Sequence, residues 1–166
     1  MILETAAAMI VVVMGVSGSG KTTIGKLLAQ RLGIEFLDGD DFHPPESVAK
    51  MAAGTPLGDE DRRPWLELLN EKLKEKEKVV LACSALKQSY RDVLARQLAR
   101  CTFVFLNGDI DLIRSRLVER RHRYMPASLL ESQFAALEPP QNAIDVDVAK
   151  TPERCVDQVL AALRSG

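Results

Sequence analysis

The segment GVSGSGKT, residues 15–22, constrains the fold of this chain more than any other stretch. It directly follows an apolar run at residues 10–14 and directly precedes a helical pattern. A buried strand, a glycine-rich turn and a helix N-terminus in this order form the context that a Walker A phosphate-binding loop (P-loop) requires. The alternative is a glycine-rich loop with a chance lysine, but every position of the motif is filled. The segment therefore predicts a binding site for a nucleoside triphosphate.

The residue types of this loop suit phosphate binding. Glycines let successive backbone N–H groups turn towards phosphate oxygens, and the following helix adds the partial positive charge of its N-terminus. Lys21 is placed to reach the β- and γ-phosphates, and the Thr22 hydroxyl is placed to ligate Mg²⁺. The predicted nucleotide-binding residues of the loop are Gly15, Val16, Ser17, Gly18, Ser19, Gly20, Lys21, Thr22 and Thr23.

Composition narrows the class of protein. A chain of 166 residues fits one domain, residues 1–166, and 46% hydrophobic with 27% charged residues is typical of a globular protein in water. A net charge of −1 gives no support for nucleic acid or an anionic membrane as partner, and no run approaches the ~20 apolar residues of a membrane span. Cys83, Cys101 and Cys155 lack CxxC spacing, which predicts reduced thiols in a cytoplasmic protein.

Apolar runs and helical patterns alternate along the chain. We predict strands at residues 10–14, 35–37, 79–83, 103–106 and 144–148. Amphipathic stripes between them predict helices, of which the first can end at Gly33 and the last can begin at Thr151 with Pro152 at its first position. Strands separated by helices are typical of a parallel sheet covered on both faces. The sequence therefore predicts one α/β domain with a P-loop NTPase fold in three layers, α/β/α.

An acidic segment follows the second predicted strand. Asp38, Asp40 and Asp41 lie so close together that they repel unless a cation or a hydroxyl-bearing ligand offsets their charge. Ligands of such sheets gather beyond the carboxyl ends of the strands, so we expect this segment beside the P-loop. A carboxylate here can accept the proton of an attacking alcohol or hold Mg²⁺ through water, and the alternative is an acidic turn that caps a helix. His43 is a candidate substrate contact or, alternatively, part of that turn.

The segment CSALKQSYRD, residues 83–92, lies where the third strand meets its helix. Ser84 stands where many P-loop proteins carry a Walker B aspartate, so the usual metal-holding carboxylate is missing. Lys87 and Arg91 are spaced i and i+4, which predicts one shared helix face that can hold an anionic group of a substrate. The alternative is that both are surface charges.

A third segment is rich in arginine between residues 114 and 123. Arg116, Arg120 and Arg123 can share one helix face. Arginines that close from a mobile lid can stabilise the charge that spreads over the phosphoryl oxygens during transfer. A basic helix end is the alternative, but it accounts for one or two arginines more readily than for the whole run.

Taken together, these segments resemble the gluconokinases of the small P-loop type, which are relatives of shikimate and adenylate kinases. The matching stretches are the P-loop, LDGDDFH, KMAAGTPLGDEDRRPWL, CSALKQSYRD and YMPASLLESQFAALEPP. They cover nearly the whole chain, and GTPLGDEDRRPWL and CSALKQSYRD are specific to this family. The resemblance implies a five-stranded parallel sheet, a mobile lid at about residues 120–137, and ATP-dependent phosphorylation of D-gluconate at its 6-hydroxyl. It also implies a cytoplasmic setting, a role in gluconate catabolism and a homodimer.

The resemblance further implies roles for single residues. Asp40 matches the base that orients or deprotonates the 6-hydroxyl, Asp38 would support Mg²⁺, and Arg120 would contact the phosphates. We assign the carboxylate of gluconate to Arg91, with Lys87 as the second candidate.

The lid departs from the family pattern. Family members read Arg-Lys-Gly-His-Phe where this chain reads RRHRY at residues 120–124, so a glycine hinge is replaced. Whether Arg120, Arg121 or Arg123 contacts the phosphates therefore stays open.

Other classes fit the sequence less well. A shikimate kinase would carry Gly-Gly-Gly at the end of the third strand, where this chain has SAL at residues 84–86, and no base-recognition loop of a nucleotide kinase is visible. A GTPase-like switch would need an Asn-Lys-x-Asp signature, which NGD at residues 107–109 does not supply. A non-catalytic ATP sensor would leave Asp38 and Asp40 without a role.

Overall fold

A parallel five-stranded sheet forms the centre of the molecule, which a computed structural model describes for residues 8–120 and 128–165. The strands are β1 (Met9–Met14), β2 (Glu35–Asp38), β3 (Lys78–Ala82), β4 (Cys101–Asn107) and β5 (Ile144–Asp147). Their order across the sheet is β2-β3-β1-β4-β5, and every neighbouring pair runs parallel. All five predicted strands are confirmed. They could be predicted because a central parallel strand is buried on both faces and therefore reads as a continuous apolar run.

Helices cover both faces of this sheet. They are α1 (Lys21–Leu32), α2 (Pro45–Ala52), α3 (Asp59–Lys74), α4 (Gln88–Leu94), α5 (Ile110–Arg120), α6 (Ser128–Ala136) and α7 (Pro152–Ser165). Alternate residues of β1 point to opposite faces of the sheet. Val12 packs with residues of α3 and α4, and Val11 packs with residues of α1 and α7. The predicted three-layer α/β/α architecture is therefore confirmed.

Local signals set several helix ends as predicted. Gly33 ends α1 in the left-handed conformation, with φ 69°, which glycine adopts without a steric penalty. The Thr151 hydroxyl accepts the Arg154 N–H at 3.3 Å at the start of α7. Pro64 lies inside α3, which begins at Asp59.

The predicted lid range divides into two parts. Residues 121–127, which include Arg121 and Arg123, lie outside the described residues, as does the side chain of Arg120 at the end of α5. The remainder forms α6, whose Leu130 is fully buried in a cluster with Val16 of the P-loop. The described part of the range is thus packed on the domain, and a mobile lid stays a prediction.

Within the described residues, none of the helices has both the length and the apolar composition that crossing a membrane requires.

Candidate active site

The P-loop joins the buried end of β1 to the start of α1. Gly18 and Gly20 adopt φ values of 85° and 101°, which only glycine adopts readily. A Cβ atom at Gly18 would also lie 2.9 Å from Cγ of Leu117, so packing against α5 excludes any larger residue. The loop therefore has the conformation that its glycine pattern predicts.

Lys21 is enclosed by the loop that precedes it. Its Nζ donates to the backbone oxygens of Gly15 at 3.1 Å and of Val16 at 3.0 Å, and part of the residue faces the cleft. Loss of hydration lowers the pKa of this ammonium, and the nearby carboxylates of Asp40 and Asp38 partly oppose that effect. An enclosed cation of this kind interacts strongly with an incoming phosphate.

The two residues that we expected to support Mg²⁺ lie side by side. The Thr22 hydroxyl donates to Oδ2 of Asp38 at 2.9 Å, and Oδ1 of Asp38 accepts the N–H of Asp40 at 3.0 Å. No cluster of three or more acidic, histidine or cysteine side chains in residues 8–120 and 128–165 could by itself enclose a metal. Two oxygen ligands suit Mg²⁺ because that ion keeps several waters and takes its other ligands from substrate phosphates. Thr22 and Asp38 therefore fit the ion that the sequence predicted.

Beside the P-loop lies a cleft of about 320 Å³. Lys21 of the donor side and Asp40 of the acidic segment line it together. Its far wall carries Arg62 from α3 together with Lys87 and Tyr90 from the β3–α4 connection and α4. The fold thus brings a phosphate-binding cation, a carboxylate and two further cations to one cavity.

The far wall is a connected polar network centred on Asp59. Its Oδ1 accepts the Tyr90 hydroxyl at 2.5 Å and pairs with Lys87 Nζ at 3.1 Å. The Tyr90 hydrogen bond, with help from Lys87, lowers the pKa of Asp59, and in turn Asp59 raises the pKa of Lys87. Arg62 donates from one nitrogen to Leu57 O at 2.6 Å and to the Tyr90 hydroxyl at 3.3 Å. This wall therefore presents charged side chains that are held in place by one another and by Leu57 O.

The structure corrects the assignment of Arg91 to substrate binding. Arg91 is buried and is absent from the cleft lining, because its guanidinium donates to the backbone oxygens of Ala85 at 2.7 Å, Leu86 at 3.2 Å and Glu138 at 2.7 Å. Ala85 has a positive φ of 47°, so one of these bonds holds a strained turn in place. Arg91 is thus part of the scaffold beneath the cleft.

The shared helix face predicted for Lys87 and Arg91 does not exist. Lys87 is the residue before the first turn of α4, with an extended backbone at φ −105° and ψ 151°. The i and i+4 rule applies only inside a helix, so the two side chains diverge. Lys87 lines the cleft, where its contact with a substrate stays a prediction, and Arg91 donates to Glu138 O away from the cleft lining.

His43 also lies behind the cleft. Its side chain is only 4% exposed, its ring stacks on Trp65, and its Nε2 lies 3.6 Å from Oδ1 of Asp40. The cleft lining contains Asp40 but not His43. Of the two alternatives from the sequence, the structure favours the one in which His43 belongs to the acidic turn and contacts Asp40.

Several polar residues of the cleft were missed by the sequence reasoning, among them Asp59, Arg62 and Gln133. Arg62 lies in the stretch GTPLGDEDRRPWL, which supported only the family resemblance. The spacing of Arg62 from other charged residues did not indicate a binding site. Gln133 of α6 accepts the backbone N–H of Ser17 at 2.7 Å across a long sequence separation. The Ser17 N–H, which we expected among the phosphate-binding groups, is therefore engaged by a side chain. Thr23, predicted with the same groups, is exposed on α1.

Comparison with known proteins agrees with this geometry. A family model described as shikimate kinase matches residues 17–162. The thermosensitive gluconokinase of Escherichia coli (strain K12) is 45% identical over 162 residues, covering 90% of this chain and 87% of that protein. The gluconokinase of Gluconobacter oxydans (strain 621H) is 45% identical over 156 residues, covering 90% of this chain and 88% of that protein.

A solved structure shows the same similarity in three dimensions. The crystal structure of a gluconokinase from Sinorhizobium meliloti 1021 matches with a TM-score of 0.87 at 43% identity, covering 96% of this chain and 93% of that chain. The family model begins inside the P-loop, at residue 17, and its match includes the acidic segment and the polar wall, while the solved structure agrees over most of both chains. The chain therefore belongs to the gluconokinase family of P-loop kinases.

Proposed function

We propose that this protein transfers the γ-phosphoryl group of ATP to the 6-hydroxyl of D-gluconate, giving 6-phospho-D-gluconate and ADP in gluconate catabolism. The observation that carries the proposal is a single cleft with Lys21 on one side and the Asp59, Arg62 and Lys87 network on the other. A phosphoryl donor and an acidic sugar need these two kinds of wall facing each other. Membership of the gluconokinase family supports the choice of gluconate over other sugar acids.

The donor side would hold ATP by its phosphates. The N–H groups of Gly15, Ser17 and Ser19 already have partners within the protein, so the remaining N–H groups of the P-loop and the ammonium of Lys21 bind the β- and γ-phosphates. Thr22 and Asp38 would hold Mg²⁺, which supplies neutralising charge to the transferred group when it is bound. We keep Arg120 as the lid residue that contacts the phosphates, on the strength of the sequence resemblance alone.

The acceptor side would align the alcohol. Asp40 lines the cleft, and its carboxylate is the group suited to accept the hydrogen of the 6-hydroxyl as the oxygen attacks. Nε2 of His43 lies 3.6 Å from Oδ1 of this carboxylate. In-line transfer then depends mainly on positioning, without a covalent enzyme intermediate.

The carboxylate of gluconate needs a cation at the far wall. Arg62 is held there by Leu57 O and by Tyr90, and its planar group can bind a carboxylate through paired N–H donors. Lys87 is the second cation, although Asp59 already neutralises part of its charge. We therefore move the carboxylate contact from Arg91 to Arg62, with Lys87 beside it.

Release of ADP in a coupled assay tests the proposal directly. The panel contains D-gluconate, shikimate, other sugar acids and nucleoside monophosphates at equal concentration. We expect turnover with gluconate at least about tenfold above every other acceptor. Preference for shikimate or a nucleotide would replace the proposed substrate, and equal background rates with all acceptors would indicate a nucleotide-binding module without kinase activity.

We also propose that the protein works as a cytoplasmic homodimer. Cys83, Cys101 and Cys155 are all free thiols, which suits a reducing compartment, and the family resemblance supports the dimer. Light scattering after size-exclusion chromatography measures the mass in solution. Twice the chain mass of 18.3 kDa is the expected result, and a mass equal to that of one chain would contradict the dimer.

A further inference from the structure

We propose that Gln133 is a positioning residue, which fixes the peptide group between Val16 and Ser17 and thereby sets the resting position of Lys21. The inference rests on the proposed kinase function for its consequence on turnover. Its structural part concerns only the P-loop and α6.

The first step is the contact between α6 and the P-loop. The backbone N–H of Ser17 donates to Oε1 of Gln133 at 2.7 Å, and both residues are 8% exposed. In a glutamine side chain the oxygen accepts hydrogen bonds, whereas the NH₂ group only donates them. The bond from the Ser17 N–H therefore also fixes which way the amide of Gln133 faces. A buried N–H needs such a partner, because water does not replace it there.

The second step is the other side of the same peptide group. The carbonyl of Val16 accepts the Nζ of Lys21 at 3.0 Å and the N–H of Ser19 at 3.2 Å. A peptide unit is planar, so fixing the direction of its N–H fixes the direction of its C=O. The orientation that Gln133 imposes on Ser17 N–H is thereby transmitted to the oxygen that holds Lys21.

The third step is the rigidity of the helix that carries Gln133. Leu129 and Leu130 of α6 are 3% and 0% exposed, and Leu130 packs in a buried cluster with Val16 and Leu117. Just beyond the end of α6, the N–H of Glu138 donates to Leu86 O at 2.8 Å. A side chain on a packed, tethered helix can position a loop, whereas one on an exposed helix could not.

Two variants separate this role from others. Gln133→Met keeps the length of the side chain but removes the acceptor, and Gln133→Glu keeps an acceptor oxygen at the same reach. Glu131→Gln is the matched control, because Glu131 lies on the same helix, is exposed and pairs only at the surface with Arg114.

Two measurements are made on each variant of the intact chain. Hydrogen exchange of the Ser17 amide reports on the peptide group without any need for activity. For Gln133→Met we expect exchange at least about tenfold faster, and kcat lower by about tenfold or more with KM for gluconate within about threefold. Gln133→Glu retains slow exchange, and Glu131→Gln resembles the parent protein in both measurements.

Three results would overturn the inference. One is unchanged Ser17 exchange in Gln133→Met, and another is a rise in KM for gluconate with kcat unchanged, which would make Gln133 a direct substrate contact. The third is fast exchange in Gln133→Glu, which decides the question even where Gln133→Met does not fold. A parent protein without gluconate turnover refutes the proposed function but leaves the exchange test intact.

Discussion

The imidazole of His43 lies almost flat on the indole of Trp65, with the ring centroids 4.0 Å apart and 19° between the planes. The indole N–H in turn donates to Gly39 O at 2.7 Å. Gly39 begins the 3₁₀ turn that carries Asp40, so two aromatic side chains hold this turn against α3. The acceptor-side carboxylate is thereby placed by packing rather than by a flexible loop.

Replacing His43 separates packing from the contact with Asp40. His43→Phe keeps a ring on Trp65 but removes Nε2, so we expect kcat to fall about two- to fivefold, the equivalent of up to about 1 kcal/mol. The thermal midpoint of this variant should stay within about 2 °C of the parent, whereas His43→Ala should lower it further. Steady-state kinetics with gluconate and thermal unfolding measure both effects. A rise in KM with kcat unchanged would instead make His43 a substrate contact.

The cation for the gluconate carboxylate is tested by Arg62→Ala. Loss of a charge-assisted contact should raise KM for gluconate at least about tenfold, or about 1.4 kcal/mol, with KM for ATP nearly unchanged. Arg63→Ala is the matched control, because the neighbouring Arg63 is exposed and contributes nothing to the cleft. An equal effect of the two variants, or none from Arg62→Ala, would remove Arg62 from this role.

The buried Arg91 should contribute to stability. Arg91→Met leaves the carbonyl oxygens of Ala85 and Glu138 without this donor, whereas Leu86 O keeps the N–H of Glu138, and each such loss costs about 1–3 kcal/mol when buried. We expect a decrease of about 3 kcal/mol in the free energy of unfolding, measured by urea denaturation. An unchanged midpoint together with a tenfold higher KM for gluconate would restore the assignment made from the sequence.

The lowered pKa of Lys21 predicts an alkaline decline in activity. Because burial lowers its pKa, Lys21 loses its proton at a lower pH than an ordinary lysine does. The neutral amine no longer attracts phosphate. The folded protein then binds fewer protons than the unfolded chain between the two pKa values, so this group's contribution to stability increases with pH while kcat/KM for ATP decreases.

A pH profile of kcat/KM for ATP, from neutral pH to about pH 10, measures this decline. Cys83→Ala is the control, because burial raises the pKa of the Cys83 thiol to about 12 and it should not titrate in this range. The decline should persist in that variant. A flat profile up to the ordinary lysine pKa would show that Lys21 remains charged.

The fold was predictable from sequence because its signals are local. Strand β1 is a run of apolar residues that are buried on both sides, and Gly33 and Thr151 mark helix ends through their own backbone chemistry. The P-loop is equally local, since its glycines and Lys21 are neighbours in the chain. Helix α2 was not predicted, because its eight residues, which begin at Pro45, are fewer than the stretch over which helical periodicity is recognised.

The site was predictable where chain neighbours or the topology of the sheet bring residues together. Thr22 lies at the start of α1 and Asp38 at the end of β2, and the two meet because the carboxyl ends of parallel strands share one edge of the sheet. Arg62 and Gln133 reach the cleft through the tertiary packing of α3 and α6, which residue spacing does not encode. Arg91 was misplaced because a helix was assumed to include Lys87, whereas that helix begins one residue later.

The most direct test of the account compares Asp40→Asn with Asp41→Asn. Both residues are exposed, but Asp40 lines the cleft with Lys21, whereas its neighbour Asp41 is absent from the cleft lining. We predict that kcat for gluconate falls at least about a hundredfold in Asp40→Asn, with KM for ATP within a few-fold, and that Asp41→Asn stays within about threefold of the parent. A kcat for Asp40→Asn within a few-fold of the parent would contradict the acceptor-side chemistry proposed for this cleft.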